Sequence, residues 1–197
     1  MYIMTKDRIL AAARSVLERE GVSGITIRKV TRRAGMSPMA IYNHFADKDA
    51  LLNALMEDGL VAWEKVARGI RVQDPMEWLK QLMEAFLAFA LTKPHLFDAA
   101  FFLPASKARQ YPNDFVAGYS PVVAMMFLRI DQAKANGRLD SRPAIDMALT
   151  LAALGQGLIS MHRANRFSNE RQLRALYRAT IRQCLESFSG RTLVSSR

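Results

Sequence analysis

The chain has little of what metal sites, disulfides and most enzyme active sites require. Its 197 residues include one cysteine and three histidines. The single cysteine, Cys184, excludes an internal disulfide and fits a reducing compartment. The histidines are widely separated, and neither a His-Glu-x-x-His nor a Cys-x-x-Cys pair is present. A glycine-rich phosphate loop and a Gly-x-Ser-x-Gly elbow are also missing. The sequence therefore predicts no enzyme, no cofactor and no metal.

Long hydrophobic runs and targeting segments are lacking as well. The most apolar stretch, 79–91, contains Lys80, Gln81 and Glu84 and is too short to cross a bilayer. The first residues do not combine a charged segment with a long apolar run, so no signal peptide is predicted. Either Met1 or Met4 is suitable as the start. We expect a cytoplasmic protein with no membrane partner.

Acidic residues are outnumbered by basic ones, 18 against 28, which gives a formal net charge of +10. Such an excess favours a polyanionic partner. It is spread along the chain, because residues 1–50 carry nine Lys and Arg against five Asp and Glu (+4) and the remainder nineteen against thirteen (+6). The charge therefore indicates nucleic acid without locating the site, and a merely soluble basic protein would have the same totals.

Apolar residues recur at helical spacing through nearly the whole chain, and strand-like alternation is absent. Thr26, Ser37 and Asp47 each precede an apolar periodic segment, as N-cap residues do. The sequence therefore predicts an all-α protein. Its domains are expected to be an N-terminal helix-turn-helix DNA-binding domain at 1–50, a C-terminal helical bundle for effector binding and dimerisation at 51–190, and a disordered tail at 191–197.

A short reversal between two helices lies inside residues 26–45. Gly35 permits a tight turn, Ser37 can cap the next helix, and Pro38 fits its first turn. That third helix is predicted to run through Met39 to Phe45. Its first residues are neither bulky nor acidic, as entry into a major groove about 12 Å wide requires. An ordinary helical hairpin with a glycine would show the same local pattern.

A longer string of residues favours the helix-turn-helix. It consists of Thr26-Ile27-Arg28-Lys29-Val30, Ala34-Gly35-Met36-Ser37, Tyr42-Asn43-His44-Phe45, Lys48 and Leu51. In this combined spacing, residues 5–55 resemble the TetR (tetracycline-repressor) family of transcriptional regulators. One departure is Thr31, where the family usually has alanine, and a threonine methyl group occupies similar space.

The resemblance implies a role for each matching residue on double-stranded DNA. Phosphate contacts, which position a protein without reading sequence, are expected from Thr26, Arg28, Lys29, Tyr42, His44 and Lys48. Base contacts are expected from Ser37, Met39, Ala40 and Asn43 on the third helix, which is the reading helix. Pro38, in the first turn of that helix, is also expected among the DNA-binding residues. Tyr42 as half-buried packing and His44 as a helix cap remain alternatives. Arg32 and Arg33 are interpreted as a solvated face.

The second half resembles the effector-binding and dimerisation part of the family more loosely. Its apolar interior supplies candidates for binding a small-molecule effector, which are Phe86, Phe89, Phe101, Phe102, Met125, Met147 and His162. Aromatic residues at helical spacing are also what a plain core contains. Glu84 is expected to be solvated, and Cys184 to be buried in the core.

The family resemblance implies a homodimer that pairs through its last two helices. The segment after Pro143 is apolar on nearly all sides, with one face formed by Met147, Leu151, Leu154, Leu158 and Met161. Gly155 and Gly157 are expected to let another helix approach closely. Such a dimer would place two reading helices about 34–36 Å apart on a palindromic site.

The predicted function is a sequence-specific transcriptional regulator, a repressor released from a palindromic operator by a small apolar or aromatic effector. One alternative is a sequence-tolerant basic DNA-binding protein without an effector. Another is a membrane-surface binder that uses the arginines of the last helix, which are Arg171, Arg174, Arg178 and Arg182.

Overall fold

The computed structural model describes residues 5–189, which form ten α-helices and no strand. The predicted all-α class is confirmed. The predicted tail at 191–197 and the choice between Met1 and Met4 lie outside the described residues. The helices are α1 (Thr5–Glu20), α2 (Ile27–Ala34), α3 (Pro38–Tyr42), α4 (Lys48–Arg68), α5 (Pro75–Thr92), α6 (Pro94–Phe102), α7 (Asn113–Val116), α8 (Pro121–Ala135), α9 (Ala144–Arg163) and α10 (Glu170–Ser187), with a 3-10 turn at Val22–Gly24.

Three side chains cap the N-terminal helices at the positions that the sequence indicates. Thr26 Oγ1 accepts a hydrogen bond from the Lys29 amide at 3.3 Å and Ser37 Oγ from the Ala40 amide at 3.2 Å. Asp47 Oδ1 accepts from the Ala50 amide at 2.7 Å. Each bond satisfies an amide that has no partner within its own helix, so helices α2, α3 and α4 begin where they were predicted to begin.

Helix α3 is shorter than predicted, because it ends at Tyr42 and not at Phe45. Beyond it, the amides of His44 and Phe45 both donate to the Ile41 carbonyl, each at 2.9 Å. This sharing of one acceptor tightens the chain into a turn. Asn43 and His44 therefore lie at the end of the reading helix and just beyond it.

The chain divides into two compact units. Of the described residues, unit 1 comprises 5–65 together with Phe89–Ala108, and unit 2 comprises Val66–Ala88 together with 109–189. Helices α4 and α5 each contribute to both units. The predicted domains, 1–50 and 51–190, divide the chain by function, and that division remains a prediction.

The core of unit 1 joins the first four helices to a segment far along the chain. Ala99 in α6 and Leu103 and Ala105 beyond it belong to the same buried cluster as Ile9 and Leu51. Thus α6 completes the hydrophobic core under the helix-turn-helix. No local sequence pattern indicates this contact, since the segments are about 50 to 90 residues apart.

In unit 2, helix α9 buries one face and leaves another open. The buried face consists of Met147, Ala148, Leu151, Gly155, Leu158 and Ile159. Met161, predicted to share that face, is 47% exposed. A Cβ on Gly155 would lie 2.8 Å from the hydroxyl of Tyr177, whereas a Cβ on Gly157 would have no neighbour within 4 Å. Gly155 therefore serves packing inside the chain, and Gly157 faces open space.

An ion pair that the sequence did not predict joins α5 and α10. Glu84 is 42% exposed, in agreement with a solvated residue, and its carboxylate accepts two hydrogen bonds from Arg178, both at 2.9 Å. Arg174 pairs with Glu170, so two of the four arginines proposed for a membrane surface have acidic partners. The expectation that Cys184 is buried in the core was wrong, because Cys184 is half-buried; this partial burial raises the pKa of its thiol.

One of the described helices, α9, is long and apolar enough to cross a membrane, with a mean hydropathy of 1.4 over its best window. A single helix of this kind is weak evidence for a membrane protein, because the core helix of a soluble protein meets the same criteria.

We expect Tyr177→Phe to lower the free energy of unfolding by about 1 kcal/mol, the net contribution of one buried hydrogen bond. Tyr177 is fully buried and its hydroxyl donates to the Met83 carbonyl at 2.9 Å. Burial, reinforced by the charge of Glu84, raises the pKa of this hydroxyl, so it keeps its proton. Urea denaturation measures the change. Tyr119→Phe removes a hydroxyl from a side chain that is 64% exposed, and an equal loss in both variants would contradict the prediction.

Candidate nucleic-acid interface

The reversal between α2 and α3 depends on one backbone conformation. Gly35 has φ 64° and ψ 38°, the left-handed region that side chains with a Cβ rarely adopt. The amides of Gly35 and Met36 both donate to the Thr31 carbonyl, the latter at 3.1 Å. This arrangement ends α2 and leads the chain directly to the Ser37 cap of α3.

One face of helix α3 is buried, and the opposite face is exposed. Ile41 is fully buried and Phe45, just beyond the helix, is 3% exposed. Met39 and Tyr42 point the other way, with 70% and 46% of their surface exposed. A large apolar side chain as exposed as Met39 is available to a partner, and its methyl group is of the kind that contacts thymine. Tyr42 is thus more exposed than half-buried packing would require.

All the predicted DNA-binding residues belong to unit 1. Those that are exposed are Thr26, Arg28, Ser37, Pro38, Met39, Tyr42, Asn43, His44 and Lys48, and those that are half-buried are Lys29 and Ala40. None of these predicted DNA-binding residues is buried. Each of them remains a predicted DNA contact.

Lys29 differs from the other predicted phosphate contacts because its ammonium group forms a salt bridge with Glu20. That carboxylate would compete with a phosphate for the ammonium group. Thr31, the departure from the family pattern, is buried, and its hydroxyl donates to the Arg28 carbonyl at 2.8 Å. Its polar atom is therefore satisfied, in agreement with the interpretation that threonine is tolerated here. Arg33, placed on a solvated face, donates to Ser15 Oγ at 2.9 Å.

A polar cluster fixes the first turn of α4, where Lys48 lies. Asn53 is 8% exposed; its amide nitrogen donates to Asp49 at 2.9 Å and its oxygen accepts from the Lys107 amide at 2.9 Å. The hydroxyl of Ser106 also donates to Asp49. This hydrogen bond is the main cause that lowers the pKa of Asp49. The loop after α6 thus holds the start of α4, a contact that sequence reasoning missed.

Three predicted effector-binding residues lie together in unit 1. Phe97 has its ring centroid 6.3 Å from that of Phe89, 4.8 Å from that of Phe101 and 5.8 Å from that of Phe102. Phe89 and Phe97 are buried, whereas Phe102 is 38% exposed. Phe97, the centre of this aromatic cluster, was not predicted.

The other four predicted effector-binding residues lie in unit 2. Phe86 and Met147 are buried, and Met125 and His162 are half-buried. A cleft of about 680 Å³ in this unit has none of the predicted residues in its lining, which consists of Val66, Gly69, Ile70, Arg71, Val72, Gln81, Glu84 and Ala85. The seven predicted residues thus remain candidates that the structure divides between its two units.

Two family models match the chain. The one for bacterial regulatory proteins of the tetR family covers residues 9–55. The one for the tetracyclin repressor-like C-terminal domain covers residues 79–184, more than half of the chain. The protein belongs to the TetR family. It is a DNA-binding transcriptional regulator with a helix-turn-helix, as the sequence predicted, and its family consists of bacterial regulatory proteins.

Individual proteins are similar to this chain over different lengths. The tetracycline repressor protein class A from transposon 1721 of Escherichia coli is 44% identical over 57 residues, 27% of this chain and 26% of that protein. The HTH-type regulator YobS of Bacillus subtilis is 22% identical over 171 residues, covering 86% of this chain and 85% of YobS. The structure of a TetR variant from Acinetobacter baumannii in complex with minocycline has a TM-score of 0.69 at 20% identity, covering 94% of this chain and 97% of that one. That likeness shows the fold.

Proposed function

We propose that this TetR-family protein is a cytoplasmic, homodimeric repressor of transcription. It binds a palindromic operator through α3 and leaves it when a small apolar or aromatic effector binds the C-terminal part. The observation that carries the proposal is the exposed, non-acidic face of α3, together with the side-chain caps that begin α2, α3 and α4. The sign of regulation and the effector class extend beyond the DNA-binding role that family membership establishes.

The reading of bases is assigned to Ser37, Met39 and Ala40 at the N-terminal end of α3 and to Asn43 at its C-terminal end. Ser37 offers a hydroxyl, Asn43 an amide, and Met39 and Ala40 apolar groups that suit thymine. Tyr42, His44 and Lys48 surround them with groups suited to phosphate oxygens. These assignments predict that base contacts determine the operator sequence, while phosphate contacts determine orientation and affinity.

Pairing through α9 and α10 is supported by the apolar surface that these helices leave uncovered. Met161 on α9 is 47% exposed and Leu176 on α10 is 46% exposed, and Gly157 leaves room for a close approach. An isologous pair would bring the same patch of each copy together about a two-fold axis. Two-fold symmetry in the protein then requires two-fold symmetry in the operator.

An apolar or aromatic effector is supported by the side chains available to receive it. The aromatic cluster around Phe97 combines buried rings with the partly exposed Phe102. The structurally similar TetR variant was determined in complex with a small molecule, minocycline. Binding would release DNA only if the effector prefers the arrangement of the dimer that does not fit the operator.

The first experiment is selection of randomised duplexes by the purified protein at two salt concentrations, followed by sequencing of what is retained. Enrichment of one palindrome with half-sites about one helical turn apart is expected. The enriched duplex then serves to screen apolar and aromatic compounds for release, with minocycline among the first probes.

Other outcomes contradict defined parts of the proposal. Retention without enrichment, lost steeply as salt rises, would favour the sequence-tolerant DNA-binding alternative. Enrichment of a site without two-fold symmetry would contradict the dimeric mode of binding. A compound that strengthens retention of the palindrome, where none releases it, would contradict effector-induced release.

A further inference from the structure

Lys6, in the first turn of α1, lies against the end of the reading helix. Its ammonium nitrogen is 5.6 Å from the centroid of the Phe45 ring. Phe45 is 3% exposed, and its amide donates to the Ile41 carbonyl at 2.9 Å. The ring is therefore a fixed part of the α3 end, and the cation–π contact restrains the lysine relative to it.

The charge of Lys6 remains available to an anion. The side chain is exposed, and among residues 5–189 no carboxylate forms an ion pair with it. An aromatic ring carries no net charge, so it positions the ammonium group without neutralising it. Lys29 is the opposite case, because its ammonium group forms a salt bridge with Glu20.

We infer that Lys6 binds a backbone phosphate diester of duplex DNA next to the predicted contacts of His44 and Lys48. The ring that positions it directly follows His44 in sequence and precedes the Asp47 cap of α4 by two residues. Lys6 precedes residues 9–55, so the family match does not include it. A phosphate contact of this kind adds affinity without adding sequence preference.

The inference rests on DNA binding and is tested by the salt dependence of that binding. Each phosphate contact contributes about 0.9 to the slope of log K against log salt on B-DNA. We expect Lys6→Ala to reduce this slope by about 0.9 for each bound protomer. Fluorescence anisotropy with a labelled duplex of mixed sequence measures it, since the contact does not depend on the bases.

The matched control is Arg19→Ala. Arg19 is an exposed cation on the same helix, about 20 Å from Lys6 along the axis at 1.5 Å per residue. The variant loses the same charge but not the cation beside Phe45, so its slope is expected to equal that of the wild type. Lys6→Arg keeps a cation at the site and is expected to restore the slope.

Three results would overturn the inference. They are an unchanged slope in Lys6→Ala, an equal reduction in Lys6→Ala and Arg19→Ala, and failure of Lys6→Arg to restore the slope. Circular dichroism verifies that each variant is folded, and Lys6→Gln provides a second neutral variant of similar length. A wild-type protein that bound no duplex at any salt concentration would instead overturn the DNA-binding function on which the inference rests.

Discussion

Gly59→Ala is expected to destabilise the protein by about 2–3 kcal/mol, the effect of inserting a methyl group where a packed core has no room. A Cβ at this position would lie 2.6 Å from the carbonyl oxygen of Leu96 and 2.8 Å from the amide nitrogen of Ala100. Both are backbone atoms of α6, so no change of rotamer relieves the overlap. Helix α6 must move away from α4, and Ala99 and Leu103 move with it out of the shared core.

Thermal denaturation of the variant measures this effect, and a fall of several degrees in the midpoint is expected for a chain of this size. The control is Val61→Ala, two residues further along α4, where the side chain is 62% exposed. Both substitutions raise helix propensity, but only Gly59→Ala creates an overlap. A midpoint for Gly59→Ala equal to or above that of Val61→Ala would show that α4 and α6 do not approach as closely as the structure indicates.

The parts of the fold predicted from sequence are those determined by neighbours along the chain. Thr26, Ser37 and Asp47 each cap a helix through an amide three residues ahead, so the pattern that reveals the cap also contains its partner. The turn at Gly35 is local for the same reason. The helix-turn-helix and the starts of α2, α3 and α4 could therefore be predicted without the structure.

Contacts between distant segments could not be predicted in this way. Nothing near Gly59 indicates that the backbone of α6 lies against it, and nothing near Glu84 indicates Arg178, which follows 94 residues later. Gly155 and Gly157 are equivalent as letters in a helical pattern, yet one packs inside the chain and the other faces open space. Only packing distinguishes them.

The sequence alone also does not reveal which cations of the candidate interface are available to DNA. Composition and family resemblance assign Lys29 and Lys48 alike to phosphates. The structure pairs Lys29 with Glu20 and places Lys6, which no motif indicates, over Phe45. Which cations are available to DNA thus depends on their tertiary neighbours, and a count of lysines and arginines does not supply that information.

Leu176→Glu is expected to separate the proposed dimer and to weaken operator binding by at least about 100-fold, because two linked half-site contacts become two independent ones. Leu176 is 46% exposed on α10. In a pair related by a two-fold axis, the new carboxylate would replace an apolar side chain buried against the partner, which costs several kcal/mol. Sedimentation velocity measures the oligomeric state, and anisotropy with the selected palindrome measures the affinity.

Leu128→Glu on α8 makes this prediction specific to the last two helices. It introduces the same charge at a leucine that is 58% exposed, and it is expected to leave both the dimer and the operator affinity unchanged. Dissociation by Leu128→Glu but not by Leu176→Glu would move the interface from α10 to α8. A Leu176→Glu protein that remained dimeric would contradict pairing through α9 and α10. A dissociated variant that kept its full operator affinity would show that recognition of the palindrome does not need the dimer.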